Sequence, residues 1–433
     1  MAMSQQEISS PPPPLDVAEE VRDFYERMPY PPPLTSLDDH KKLYRDNPGR
    51  RRTLFHRIWP ARRAGAPLKI LIAGCGTSQG AMYALRDPDS SVTAIDVSET
   101  SLHHTRDLQR KYNLRNLELH QLPIERAGEL ARSFDLIVCT GVLHHLPDPD
   151  VGLCALRAVL APEGAMQLMV YAPYGRAGIY MMQEYCRLLG IGSSESDLQS
   201  LRAALEKLPA DHPLAGLFRR SKDFWRPDAM ADALLHPQDR AYSVPELYDW
   251  IERCGMSFGR WVEQAPYLAA CGAMASSPHA ARLASLSPRQ QYAAVELLRG
   301  TMVSHSFIAF RDDYPAKRQP VTFNGEQWRD YIPIALPWTV RVETRMVSGG
   351  VAALINRSHT FTDLLLTVEL FEDELLKAID GKRTLAGILR HAGVDSARER
   401  RALNFFTRLW QYDQVVFDLS GVAADVLSPE TQV

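Results

Sequence analysis

The 433-residue sequence has six cysteines, at positions 75, 139, 154, 186, 254 and 271, and no C-x-x-C pair among them. That pattern leaves no zinc motif and no disulfide framework. Thiols scattered through apolar runs suit a reducing compartment, so a cytoplasmic protein is expected. No apolar run approaches the roughly 20 residues of a membrane span, and no membrane partner is expected. The opening Met-Ala-Met-Ser-Gln-Gln has no basic region followed by an apolar core, which argues against a signal peptide. An excess of one charge is also missing. The formal net charge is −3 and the pI about 6.5, whereas a nucleic-acid enzyme carries a basic footprint. Nucleic acid is therefore disfavoured as a partner. No group of His, Cys, Asp and Glu has metal-ligand spacing, so no metal is expected. No internal repeat is present.

The chain is 45% hydrophobic and 23% charged, a globular composition, and its length implies two domains. Its most informative stretch is Lys69-Ile-Leu-Ile-Ala-Gly-Cys-Gly-Thr-Ser-Gln-Gly80. Residues 69–73 read as a short apolar strand and residues 81–85 as helix. Gly74 and Gly76 permit a tight turn and a close backbone approach to a ligand. Residues 92–96 form a second strand that ends in Asp96, a carboxylate placed to accept hydrogen bonds from two ribose hydroxyls. Dinucleotide folds have two residues before the last glycine of the loop. Here three, Thr77, Ser78 and Gln79, separate Gly76 from Gly80, which disfavours a nicotinamide-dependent oxidoreductase. Residues 134–139 form another apolar strand. It runs into Thr140-Gly-Val-Leu-His-His-Leu-Pro-Asp-Pro149, then a helix over 151–160, a turn at Pro162-Glu-Gly164 and a strand over 165–171.

The glycine loop, Asp96 and the Leu143-His-His-Leu-Pro-Asp-Pro149 segment, in this order over residues 69–171, resemble the class I S-adenosylmethionine-dependent methyltransferases. The resemblance implies an α/β fold: a seven-stranded Rossmann-like sheet with helical insertions, plus a small α+β C-terminal domain. It implies S-adenosylmethionine as cofactor, held by Ala73, Gly74, Cys75, Gly76 and Gln79, by Asp96 and Val97, by Gln121 and Leu122, and by Thr140, Gly141 and Val142. One departure stands out. Pro123 occupies the place where the family often has an acid for the adenine amino group, so Gln121, Glu125 or a backbone carbonyl must serve, or the adenine contact is weaker. The lead Phe24-Tyr-Glu-Arg-Met-Pro-Tyr-Pro-Pro-Pro33 resembles a segment of some large bacterial members. Tyr25 or Tyr30 would cover the methionine end of the cofactor as a lid, or the rings would only brace the lead helix.

The organisation read from the sequence has three parts. Residues 1–64 are a disordered lead, including Pro11 to Pro14, followed by lid helices. Residues 65–315 are the methyltransferase domain, with helical insertions at 172–242 and 265–302. Residues 316–433 contain two strands, three helices and the short strand 415–417, resembling a winged-helix-like module that also ends some bacterial protein-lysine methyltransferases. It is expected to help recruit or orient the acceptor; its alternative roles are dimerisation, with a homodimer as the partner, and bracing. Both insertions fall near the carboxyl ends of the strands, where ligands bind, so both are expected to wall the acceptor pocket.

His145, His236, Asp239 and Tyr174 are the candidates for proton transfer. Tyr174, Arg176, His236, Arg240 and Tyr242 are the candidates for substrate contact, an arginine being suited to a carboxylate. A turn with local capping is the alternative for 236–242. The basic run 45–63 reads as a solvated helix face or as a docking surface. The acceptor expected is a nucleophile, with an amine of a peptide or protein placed ahead of a small-molecule N, O or S atom. A non-catalytic cofactor-binding regulator is the competing class.

Overall fold

The computed structural model describes residues 17–220, 222–314, 320–343 and 349–422. The expected disordered lead, with Pro11 to Pro14, and part of the expected boundary at 315–325 lie outside the described residues.

Seven strands make the central sheet: β1 (Lys69–Ala73), β2 (Ser91–Asp96), β3 (Leu117–Gln121), β4 (Phe134–Thr140), β5 (Leu160–Tyr171), β6 (Met256–Trp261) and β7 (Ser304–Arg311). Their order is β3-β2-β1-β4-β5-β7-β6. The first five strands run parallel, and β7 is antiparallel to both β5 and β6. Apolar residues on both sides of each parallel strand follow from helices covering both faces. Ile70, Ile72, Val92, Ala94, Leu136 and Val138 enter one core. Leu71, Ala73, Ile95, Ile137 and Cys139 enter the other. Within that second core lies helix Val244–Arg253, started by Ser243, whose N–H donates to the Glu246 carboxylate at 2.8 Å.

After β5 the chain forms a helical cap, with helices Ala177–Leu189, Glu195–Leu205 and Pro227–Leu234 among its elements. The lead helix Val17–Arg27 packs into it: Phe24 shares one apolar cluster with Ile179, Met182, Leu201, Phe224 and Met230. Insertion 172–242 thus becomes a roof over the carboxyl ends of the strands.

The second insertion serves another purpose. Ala265 and Cys271 are buried in the core of the C-terminal part, beside Leu354, Leu375, Phe405 and Phe417. That part contains a three-stranded antiparallel sheet of β9 (Thr339–Glu343), β10 (Ala352–Asn356) and β11 (Leu365–Val368), and a two-stranded pair of β8 (Ile332–Ala335) with β12 (Val415–Asp418). Its helices are Leu370–Lys377, Leu385–His391 and Ser396–Gln411. The expected helix order is present, but β12 pairs backward with β8.

Buried polar contacts join this part to the rest. Asp413 accepts the N–H groups of Gln264 at 2.8 Å and Ala265 at 2.9 Å, and pairs with Arg260 at 3.2 Å. Arg299 pairs with Asp363 at 3.1 Å. The basic run contributes as well: Arg52 reaches Asp418 at 2.7 Å, and the buried Arg57 lies 5.3 Å from the Trp338 ring centre. Those two arginines therefore face the chain's own C-terminal part rather than solvent or a foreign acidic surface.

Candidate active site

The turns that follow β1, β2, β3 and β4 converge on one cavity of about 550 Å³, closed on the far side by the lead helix and the cap. Gly74 and Gly76 adopt φ of +71° and +54°, in the left-handed region that glycine tolerates. A Cβ on Gly74 would lie 2.4 Å from Val142 Cγ2, so the β1 turn and the β4 turn touch because no side chain intervenes. Asp96 is held from behind. Its Oδ2 accepts the Gly76 N–H at 2.8 Å and its Oδ1 the Ser98 N–H at 2.9 Å. Each oxygen keeps further acceptor capacity. Burial pushes the Asp96 carboxyl above its usual range, against the pull of the Ser98 and Gly76 donors.

Gly74, Cys75, Gly76, Gln79, Asp96, Val97, Leu122, Thr140, Gly141, Val142 and Tyr30 all line this cavity. Ala73 does not; it lies one residue deeper, fully buried in β1. Gln121 is also absent from the wall, since its amide donates to the Val97 carbonyl at 3.1 Å. Glu125 takes a place there, next to Pro123. The lid residues divide by direction: Phe24 packs into the cap, while Tyr25 and Tyr30 face the cavity. The lead segment also touches the glycine loop, where Thr77 Oγ1 donates to the Pro31 carbonyl at 2.8 Å.

The acceptor-side candidates fare less evenly. Arg176 and His145 line the cavity. Arg176 pairs with Asp239 at 2.8 Å and lies 3.5 Å from the Tyr171 ring centre. Asp239 therefore stands behind the wall as the arginine's counter-ion. His145 Nδ1 donates to the Gln238 carbonyl at 2.6 Å, which leaves Nε2 as the acceptor nitrogen of the neutral ring. Burial pushes the His145 imidazole down to about 4. His236 stacks behind it with ring centres 3.8 Å apart and is pushed by burial down to about 2. His236 accordingly packs the wall instead of facing the cavity.

Three expected substrate contacts are corrected. Tyr174 is 41% exposed and outside the cavity, on the outer side of the short turn whose Arg176 faces inward. Arg240 is exposed. Tyr242 is buried against Trp250, ring centres 4.8 Å apart, in the core under the sheet. The 265–302 insertion contributes no residue to the cavity wall, being engaged with the C-terminal part.

Sequence reasoning missed Asp232. It lines the cavity from helix Pro227–Leu234, where it is buried together with Ala229, Met230, Ala231, Ala233 and Leu234. Tyr25 Oη donates to its Oδ1 at 3.2 Å. Burial pushes its carboxyl up to about 7, against the lowering effects of the Tyr25 hydrogen bond and the Arg176 charge. The one acid in the otherwise apolar stretch 229–235 was the available signal. Among the described residues no group of His, Cys, Asp and Glu could hold a metal ion, and no helix is long and apolar enough to cross a membrane.

The strand order, the glycine turn and the acid ending β2 define this arrangement, and residues 71–166 match the family model of the methyltransferase domain. The match is confined to that segment of the chain. An uncharacterised protein of Synechococcus sp. is 35% identical over 272 residues, 59% of this chain and 63% of that protein. The chain thus spans a little under two thirds of that relative's length. A ubiquinone biosynthesis O-methyltransferase of Acinetobacter baumannii is 33% identical over 109 residues, covering 24% of this chain and 46% of the relative. Among solved structures, PKMT2 from Rickettsia typhi in complex with AdoHcy superimposes with a TM-score of 0.60 at 14% identity, covering 86% of this chain and 75% of the other. At that identity the likeness concerns the fold, which reaches well beyond the methyltransferase domain itself.

Proposed function

We propose that this chain is an S-adenosylmethionine-dependent methyltransferase acting on an amine nitrogen. The fit of the cofactor rests on the unused acceptor capacity of Asp96 and on the wall without side chains at Gly74 and Gly76. Asp96 would hold the ribose, and Tyr30, seated over the glycine loop, would cover the methionine end. The bound cofactor supplies an electrophilic methyl group on a sulfonium.

Asp232 is the observation that carries the amine reading. An amine attacks only when neutral, and an alkylammonium holds its proton to about pH 10. An ordinary aspartate, near 4, is a poor proton acceptor for it. A carboxylate near 7 narrows that gap and can take the proton as attack proceeds. The rings of Tyr25, Tyr30 and Phe224 line the same cavity and suit a cation before it is deprotonated. Arg176 does not oppose this, because Asp239 already pairs with it.

A free small amine and a single amine-bearing side chain of a peptide both meet this description. The test supplies methyl-labelled S-adenosylmethionine with a short lysine peptide, n-butylamine or catechol. Label on the peptide or on n-butylamine supports the reading and tells the two carriers apart. Label on catechol oxygen, with Asp232→Asn equally active, overturns it. Tight cofactor binding with no transfer to any acceptor favours the regulator reading.

Asp96→Ala is expected to weaken S-adenosylmethionine binding by about 1.5–3 kcal/mol, the range for hydrogen bonds to a charged group. Calorimetry checks this. Unchanged affinity would remove the ribose from this strand end.

A further inference from the structure

Glu26 and Tyr25 are neighbours on the lead helix, yet they reach opposite sides of the cavity. Tyr25 binds Asp232 in the cap. Glu26 binds the start of helix Glu99–Tyr112. Its Oε1 accepts the Glu99 N–H at 2.6 Å, and its Oε2 accepts both the Thr100 N–H at 3.2 Å and the Thr100 hydroxyl. These N–H groups are among the first of the helix and have no partner within it. A carboxylate there also complements the helix dipole. The helix already has a cap of its own, Ser98, which accepts the Ser101 N–H at 3.1 Å. Glu26 is therefore a second, tertiary cap brought in from the lid. Ser98 in turn donates its N–H to Asp96, so the lid is fastened directly beside the proposed ribose site.

We infer that Glu26 is a positioning residue: it clasps the lead helix over the cavity and thereby holds Tyr25 on Asp232. The inference rests on Asp232 as the proton acceptor of the proposed reaction. With the clasp open, the lead helix loses its hold on helix Glu99–Tyr112 and Tyr25 leaves the carboxylate. Asp232 then loses the Tyr25 donor, which lowers its pKa, together with part of the burial, which raises it and is the larger effect, so its carboxyl falls back toward the ordinary range and becomes a weaker base. Of the other groups that act on Asp232, Tyr171 at the end of β5, Arg176 in the turn after it, Asp239 in the loop after helix Pro227–Leu234 and Asp228 on its own helix stay in place, whereas Tyr30 moves with the lead segment. The effect of the groups that stay is common to wild type and variant, so a shift on opening reports the departure of the lead segment from Asp232.

Two measurements on the full chain test this without any turnover. The first is amide hydrogen exchange in Glu26→Ala. Residues 17–27 and the amides of Glu99 and Thr100 are expected to exchange about tenfold faster or more, the loss of a charged hydrogen bond, while β1 to β5 keep their protection. The second is a carbon-detected titration of the Asp232 carboxyl. Its midpoint is expected to fall by about half a unit or more in Glu26→Ala, where burial is relieved, and to rise in Tyr25→Phe, where only the donor is lost. Unchanged exchange over 17–27 overturns the clasp. Faster exchange with an unmoved Asp232 midpoint overturns the positioning role. If Glu26→Ala fails to fold, Glu26→Gln keeps the size and one acceptor oxygen, and the same two shifts are expected at smaller amplitude. Their absence there overturns the inference equally. A failure of amine methylation with both shifts present would sink the proposed reaction and leave the clasp standing.

Discussion

Replacing Asp232 with asparagine is expected to lower kcat by about 10²- to 10⁴-fold, the usual contribution of a positioned proton acceptor. Binding of S-adenosylmethionine should change little, because the substitution keeps the shape of the wall and an acceptor for the Tyr25 hydroxyl. The pH profile gives a second reading. The carboxyl titrates near 7 and must be ionised to take a proton, so wild-type kcat should rise through about pH 7, and the variant should lack that limb. The stability effect has a fixed sign. Folding raises this pKa from about 4, so the folded state holds the proton where the unfolded state has released it. Wild-type stability therefore falls as pH rises from about 4 through about 7. Asparagine removes that loss, and the variant should melt no lower than wild type at pH 8. A lower melt at pH 8 with a proportionate loss of activity would make Asp232 a structural residue.

The largest expected loss of stability lies far from the cavity. Asp413→Ala should cost about 3–5 kcal/mol, the penalty for removing one partner from a buried ionic group. Asp413 is 3% exposed and adopts φ of +51°. Besides the two N–H groups and Arg260, it contacts His359 Nε2 at 3.3 Å. Burial already pushes the Arg260 guanidinium down to about 10, with Asp413 opposing that effect. Without the carboxylate, a buried cation is left without this partner and two buried N–H groups lose their acceptor. Urea denaturation should show the whole loss in one transition, because Ala265 and Cys271 belong to the core of the C-terminal part. Asp413→Asn, which tolerates this backbone conformation and retains an acceptor, should cost less. Two separated transitions, with only the later residues released, would show the contact to be weaker than its burial implies.

The first half of the fold was legible because its signals are local. Strand β1 is apolar on both sides, the glycines follow it at once, and Asp96 ends the next strand; all of them lie within one stretch of residues 69–96. Helix Leu385–His391 was equally plain, since Thr384 caps it by accepting the Gly387 N–H. What escaped depends on side-chain direction and long-range meeting. Strand β11 was missed because Leu365–Val368 is short and owes its state to pairing with β10. Tyr242 and Arg240 belong to a polar segment suited to a site, yet stacking on Trp250 turns one inward to the core and the other stays in solvent. Asp232 meets Tyr25 across 207 residues, a distance no local pattern spans. The purpose of the 265–302 insertion was likewise hidden, because its partner surface is made by residues near 413.

The join between Arg52 and Asp418 also sets a schedule for synthesis. The two residues are 366 positions apart, roughly 20 to 70 s of translation at about 5–20 residues per second. Arg52 and Arg57 wait through that interval, and Arg260 through the later part of it, before Asp413 and Asp418 are made. Helix Pro48–Ile58 precedes the methyltransferase domain in the chain but receives these partners last. The nascent protein is thus most open to aggregation or chaperone capture late in translation, with its central sheet already made and the surface meant for the last strand still bare.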